Sequence, residues 1–398
     1  MTIDKTVFTV PGFRASAIAA GIKKGNALDM ALISSDGEVV AAGVFTKNKI
    51  KAAPVILCSE HLQDNRASAI IVNSGNANAC TGQNGMDNAR ATADLVAREL
   101  GLKPDEVLVA STGVIGAQLD MDKIGGAIPG LAETLAPDGI ANAVEAMMTT
   151  DSFPKISQYE GKAEGKPFRI LGIAKGAGMI MPDMATMLCF IMTDIRIDPS
   201  DLKEALSSAN EDSFNRISVD GDTSTNDTVL ILANGMAGNN ALDTADHYEF
   251  VKGLKVVMTD LARMIVRDGE GATKLVDVKV KGAATAADAL TAARAVANSS
   301  LVKTAFYGQD PNWGRIIAAL GRSDIRMEEE TVDIWIDDIK IVKAGLGCGI
   351  DPEKRAAERM TAGEFDLTID LGQGEYKDQV TTCDLTHEYV SINADYRT

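Results

Sequence analysis

Thr186 combines the features a self-generated nucleophile needs. It stands within the segment KGAGMIMPDMATMLCF, Lys175 to Phe190, directly behind a loop and in front of an apolar run. Gly176, Gly178 and the Pro182-Asp183 pair let that loop take tight or left-handed backbone conformations. Met187 to Met192 then reads as a buried central strand. A hydroxyl at such a junction can attack the preceding carbonyl, here that of Ala185. Hydrolysis of the resulting ester would free an α-amine on Thr186. With a pKa of about 7.7–8.0, that amine is a usable base near neutral pH, so nucleophile and base sit on one residue. Spacing alone also leaves open an ordinary loop-to-strand threonine without chemistry.

Histidine usage makes the amine base attractive. Only His61, His247 and His387 occur in 398 residues, none in a Gly-rich or Asp-rich cluster. A Ser-His-Asp triad or a His-ligated zinc would need one of them well placed. No metal or cofactor is expected.

Other motifs match known chemistry only in part. Ser152-Phe153-Pro154-Lys155 has S-x-x-K spacing, but Pro154 sits where a helix should begin and no K-T-G partner exists. Asp220-Gly221-Asp222-Thr223-Ser224 opens like a calcium loop, yet Thr225 replaces the needed Gly and Ile231 the needed Glu. Gly176-Ala177-Gly178 lacks the third Gly of a dinucleotide fingerprint. Cys189, between Leu188 and Phe190, reads as a buried apolar residue.

The elements that would position Thr186 alternate between strand and helix patterns. Ala69–Asn73, Val107–Ala110, Thr228–Ala233 and Leu275–Val280 read as strands, and Val107–Ala110 runs directly into Ser111-Thr112-Gly113. Helical spacing marks 88–100, 248–266 and 284–297, and Pro199 opens another helix. Beyond residue 330, period-two alternation predicts a strand-rich tail. The class is α/β. No Pro/Ser-rich linker separates domains, so one large or two intimately packed regions are expected.

Composition narrows the partners. A formal charge of −17 without a basic cluster argues against nucleic acid and anionic membranes. The N-terminal residues lack a basic-then-apolar leader, no apolar run approaches membrane-spanning length, and five cysteines form no C-x-x-C pair. A cytoplasmic enzyme with reduced thiols is the expectation.

Several long motifs, in order, resemble one family. The Met181–Leu188 segment is similar to the self-cleavage site of ornithine acetyltransferases, also called glutamate N-acetyltransferases. Further matches are VNSGNANA from Val72, STGVIG from Ser111, DGDTSTND from Asp220, RDGEG from Arg267, GQDPNWGR from Gly308 and NADYRT from Asn393. The resemblance spans essentially the whole chain. It implies an α/β sandwich of that family's own type, cut between Ala185 and Thr186 into an α chain, 1–185, and a β chain, 186–398, two of each assembling. It implies that Thr186 takes the acetyl group of N2-acetylornithine and passes it to glutamate, with acetyl-CoA as a second donor. By the same resemblance Thr112 and Gly113 form the oxyanion hole, and Thr150, Lys175, Thr186, Glu270, Asn393 and Thr398 contact substrate. Two rival readings are a self-cleaving amidohydrolase that hands the acyl group to water and a non-enzymatic amino-acid-binding protein.

Overall fold

A computed structural model describes residues 8–181 and 187–395. The strands form three sheets. The first orders β1 (Phe13–Ile18), β2 (Met30–Ser35), β4 (Ala69–Asn76) and β5 (Val107–Val114). The second runs β3 (Val40–Phe45), β10 (Thr228–Ala233), β8 (Leu188–Thr193), β7 (Lys166–Lys175) and β6 (Lys155–Ala163). The third has seven strands, ordered β14 (Leu346–Gly347), β13 (Ile339–Lys343), β12 (Asp333–Ile336), β15 (Glu364–Asp370), β11 (Leu275–Ala283), β16 (Tyr376–Cys383) and β9 (Ile217–Ser218).

The period-two geometry of strands explains the layering. Leu188, Phe190 and Met192 of β8 point at the first sheet and share a core with Ile33, Ile70, Val72 and Leu108. Cys189 and Ile191, on the opposite face, pack against Leu202, Leu206, Val257 and Leu261 of the helices Pro199–Asp212 and Thr244–Arg267. The outer face of the first sheet buries Leu32, Ala69 and Ile71 under helices Ala53–His61, Gly82–Leu100 and Met121–Glu133. Helix, sheet, sheet and helix therefore stack in four layers. A strand buried on both faces reads as a continuous apolar run, which is why β8 was legible.

The α/β sandwich expected from the sequence is borne out. Element limits differ from the expectation where local chemistry is silent. The helix expected from Asn88 begins at Gly82, and β4 continues through Ser74 and Gly75 to Asn76. Beyond residue 330 the tail carries β12 to β16, with helices Ile350–Arg359 and His387–Asp395 between and after them. Strand β8 pairs with β7 on one side and β10 on the other. Chain segments before and after the expected cleavage point thus share one sheet. None of the helices among the described residues is long and apolar enough to cross a membrane.

Candidate active site

Strand β5 runs parallel to β4, and the pair becomes irregular at its end, where Asn76 faces both Thr112 and Val114. Gly113 has φ of +130° and Gly75 +93°, in a region that side chains rarely adopt. A Cβ on Gly113 would stand 2.4 Å from the Gly75 carbonyl carbon and 2.5 Å from the Asn76 nitrogen. The two strand ends can approach this closely only because residue 113 is glycine; a Cβ on Gly75 would point instead at Ile22 and Lys23. The bulge is pinned from below: Ser111 Oγ donates to Asn73 Oδ1 at 2.6 Å, and Asn226 Nδ2 donates to the carbonyls of Ala77 and Ser111 at 2.6 and 2.8 Å.

The bulge forms one wall of a cavity of about 230 Å³. Thr112, Gly113, Thr150, Lys175, Glu270 and Asn393 all line it. They arrive from the end of β5, the loop after Met148, the end of β7, the turn after Thr244–Arg267 and the last helix. Thr186, its predecessor Ala185 and Thr398 lie outside the described residues. In the antiparallel pair of β7 and β8, Lys175 stands opposite Leu188, so the chain enters β8 beside the lysine.

Lys175 is 3 % exposed, a buried strand-end residue. Its ammonium donates to Thr149 Oγ1 at 2.8 Å and to Thr112 Oγ1 at 3.4 Å, and Asp151 lies 3.8 Å away. Burial pushes its pKa below the ordinary lysine value, while Asp151 pulls it back up. Asp151 itself is held well below the usual carboxylate range by Lys175 and Lys155, against its own desolvation. Across the cavity, Asn393 Nδ2 donates to Glu270 Oε2 at 2.7 Å and ties the C-terminal helix to the turn that carries the glutamate. The Glu270 backbone N–H donates to the Ala177 carbonyl at 2.9 Å, and the Glu270 carboxylate leaves no room for a Cβ on Gly178.

Cavity residues that no sequence signal marked as contacts include Thr149, Asp220, Asp222, Asn226 and Tyr389. The DGDTSTND run both lines the cavity and supports its wall. Asp220 accepts the N–H groups of Met179 and Ile180 at 2.6 and 2.9 Å and the Tyr389 hydroxyl at 3.3 Å. Asp227 is fully buried, and one of its oxygens accepts the Met187 N–H at 3.2 Å. Its pKa is pushed well above the ordinary value by desolvation, against the Met187 N–H and the Lys175 charge. The run GQDPNWGR lies elsewhere. Asn312 Oδ1 caps the following helix through the Arg315 N–H at 3.2 Å, and Trp313 donates to Glu353 at 3.1 Å. The rejected motifs also resolve. Lys155 and Ser152 are spent on buried partners, and burial pushes the Cys189 thiol far up, away from thiolate chemistry.

A family profile described as the ArgJ family matches residues 14–398. The chain belongs to the ArgJ family. Enzymes of this family are acyltransferases. The arginine biosynthesis bifunctional protein ArgJ of Geobacter sulfurreducens is 52 % identical over 98 % of this chain and 100 % of its own length. Its namesake from Syntrophotalea carbinolica is 49 % identical over 98 % of this chain and 99 % of its own. A crystal structure of the Bacillus halodurans protein of that name is 44 % identical, with a TM-score of 0.50, covering 52 % of this chain and 98 % of that one.

Proposed function

We propose that the cavity transfers an acetyl group from N2-acetylornithine to glutamate through an ester on Thr186, after self-cleavage between Ala185 and Thr186. One observation carries the reading: six residues nominated from scattered motifs line a single cavity with a buried cation on one side and a carboxylate on the other. An N-acetylated diamino acid carries a carboxylate, an ammonium and an amide between them. Lys175 suits the first and Glu270 the second, while Thr112 and Gly113 face the carbonyl between. The names of the relatives, which join arginine biosynthesis to two activities, support this reading, and acetyl-CoA is the second donor proposed here.

In the proposed sequence, Thr186 Oγ attacks the acetamide carbon while its own α-amine takes the hydroxyl proton. The oxyanion is met by the Thr112 hydroxyl and the Gly113 backbone, a pair of donors of the kind worth 10²–10³-fold in rate. The carbon–nitrogen bond breaks, the α-amine returns the proton, and ornithine departs. The glutamate amine then attacks the ester, and its proton passes back to Thr186 Oγ. Thr150, Asn393 and Thr398 complete the substrate contacts, and two α and two β chains make the working assembly in the cytoplasm.

The test is mass spectrometry of the purified protein. Wild type is expected as two chains, the second beginning at Thr186, and Thr186→Ala as one. Quenching with acetylornithine alone adds one acetyl group to the peptide that begins at Thr186, and glutamate removes it. An intact wild-type chain, or acetylornithine consumed at the same rate without glutamate, would overturn the reading; the second outcome would make the protein a hydrolase.

A further inference from the structure

Three segments of the cavity wall converge, beneath it, on the same buried charges. Asp151 Oδ1 accepts the Gly176 N–H at 2.6 Å and the Lys155 ammonium at 2.7 Å; its Oδ2 accepts the Thr149 N–H at 3.0 Å and faces Lys175. Lys155 reaches on to Asp268 Oδ2 at 2.5 Å. Asp268 in turn accepts the Ser152 N–H at 3.0 Å and the Ser152 hydroxyl. The loop bearing Thr150, the strand end bearing Lys175 and the turn bearing Glu270 are therefore tied to one another through Asp151, Lys155 and Asp268. The side chains of Lys155 and Asp151 are fully shielded from solvent, and that of Asp268 is 3 % exposed.

The charge count of the cluster is informative. Two carboxylates against Lys155 leave one negative charge buried, and a charged Lys175 beside Asp151 cancels it. An uncompensated buried charge is costly, so the cluster and the ammonium depend on each other. The other ionisable groups facing Lys175 are Glu270 and Asp227, with Lys23 further off; Lys155 opposes its charge and Glu270 supports it.

We infer that Asp151, Lys155 and Asp268 form a positioning centre that fixes Thr150, Lys175 and Glu270 relative to one another, and that Asp151 within it keeps Lys175 a charged ammonium for the carboxylate of an amino-acid substrate. The substrate assignment rests on the acetyl transfer proposed above; the effect on Lys175 does not.

The experiment follows Lys175 by NMR in full-length protein carrying 13Cε/15Nζ-labelled lysine, the resonance being assigned by its loss in Lys175→Arg. In Asp151→Asn the Lys175 titration midpoint falls by about one unit or more, since an opposite charge at this range holds the charged form by one to three units. In Lys155→Met a repelling charge disappears, so the midpoint rises, a reversal of sign that loosened packing does not imitate. In parallel, Asp151→Asn raises KM for acetylornithine about tenfold at pH 8. Its alkaline limb of kcat/KM moves to lower pH, with kcat changed less. A Lys175 midpoint unmoved in Asp151→Asn, or moved in the same direction by both variants, overturns the inference. Wild-type protein that transfers no acetyl to glutamate overturns the reaction instead, and the two titrations still judge the cluster.

Discussion

Gly113→Ala is the substitution whose consequence follows most directly from the geometry. The new Cβ would meet the Gly75 carbonyl carbon at 2.4 Å, the Asn76 nitrogen at 2.5 Å and the Gly75 Cα at 2.7 Å. All three are backbone atoms, so no side chain can rotate aside. Ordinary contact begins near 3.4 Å, and one strand end must move by about 1 Å to restore it. A displacement of that size at a catalytic group costs about 10²-fold in rate, or about 2.7 kcal/mol. The φ of +130° adds strain of about 1–3 kcal/mol, which lowers stability as well. Gly116→Ala serves as the control, because Gly116 also has positive φ, +83°, but nothing lies within 4 Å of its Cβ. Both variants should lose stability in denaturant melts, and only Gly113→Ala should also lose kcat and mature slowly. Equal activity in the two variants, or a kcat within threefold of wild type for Gly113→Ala, would refute the assignment of this bulge to the oxyanion.

Glu270→Gln should raise KM for acetylornithine roughly ten- to hundredfold, as expected for one charge-assisted hydrogen bond of about 1.5–3 kcal/mol. A donor lacking the side-chain ammonium should be affected less, and initial rates with both donors check it. Asp227 gives a stability prediction. Its folded pKa lies above 3.8, so above that pH the folded state keeps a proton the unfolded state has lost. Stability then falls with rising pH by up to about 1.4 kcal/mol per unit until the folded pKa is passed. Calorimetric Tm values from pH 5 to 8 should fall more steeply in wild type than in Asp227→Asn, and parallel profiles would show Asp227 to be ionised. Acetyl-CoA should be the poorer donor by kcat/KM at fixed glutamate. The cavity wall carries Asp220, Asp222 and Glu270 against one buried lysine, which leaves little to hold phosphates.

What the sequence made legible, and what it hid, divides by the distance over which each signal acts. Strand β8 and the special glycine after Thr112 were readable because burial on both faces and a positive φ leave marks within a few residues, whereas the sequence ended β5 at Ala110 and the structure carries it to Val114. The fate of Lys155 was not. Its S-x-x-K spacing invited a catalytic reading, and the reason to reject one was local, at Pro154. The reason it matters lies 113 residues away, at Asp268. The burial of Lys175 has no local signal either, since β8 and the Asp151 loop close over it only in the fold. Buried charge partners are chosen by tertiary packing, with no period or flanking residue to announce them. The same physics gives those positions their weight. A charge moved out of water must find a specific partner, so each of these ion pairs ties remote segments together more narrowly than an apolar contact would. It follows that in this chain the residues hardest to predict, Asp151, Lys155 and Asp268, are the ones that hold the predicted contacts Thr150, Lys175 and Glu270 in one cavity.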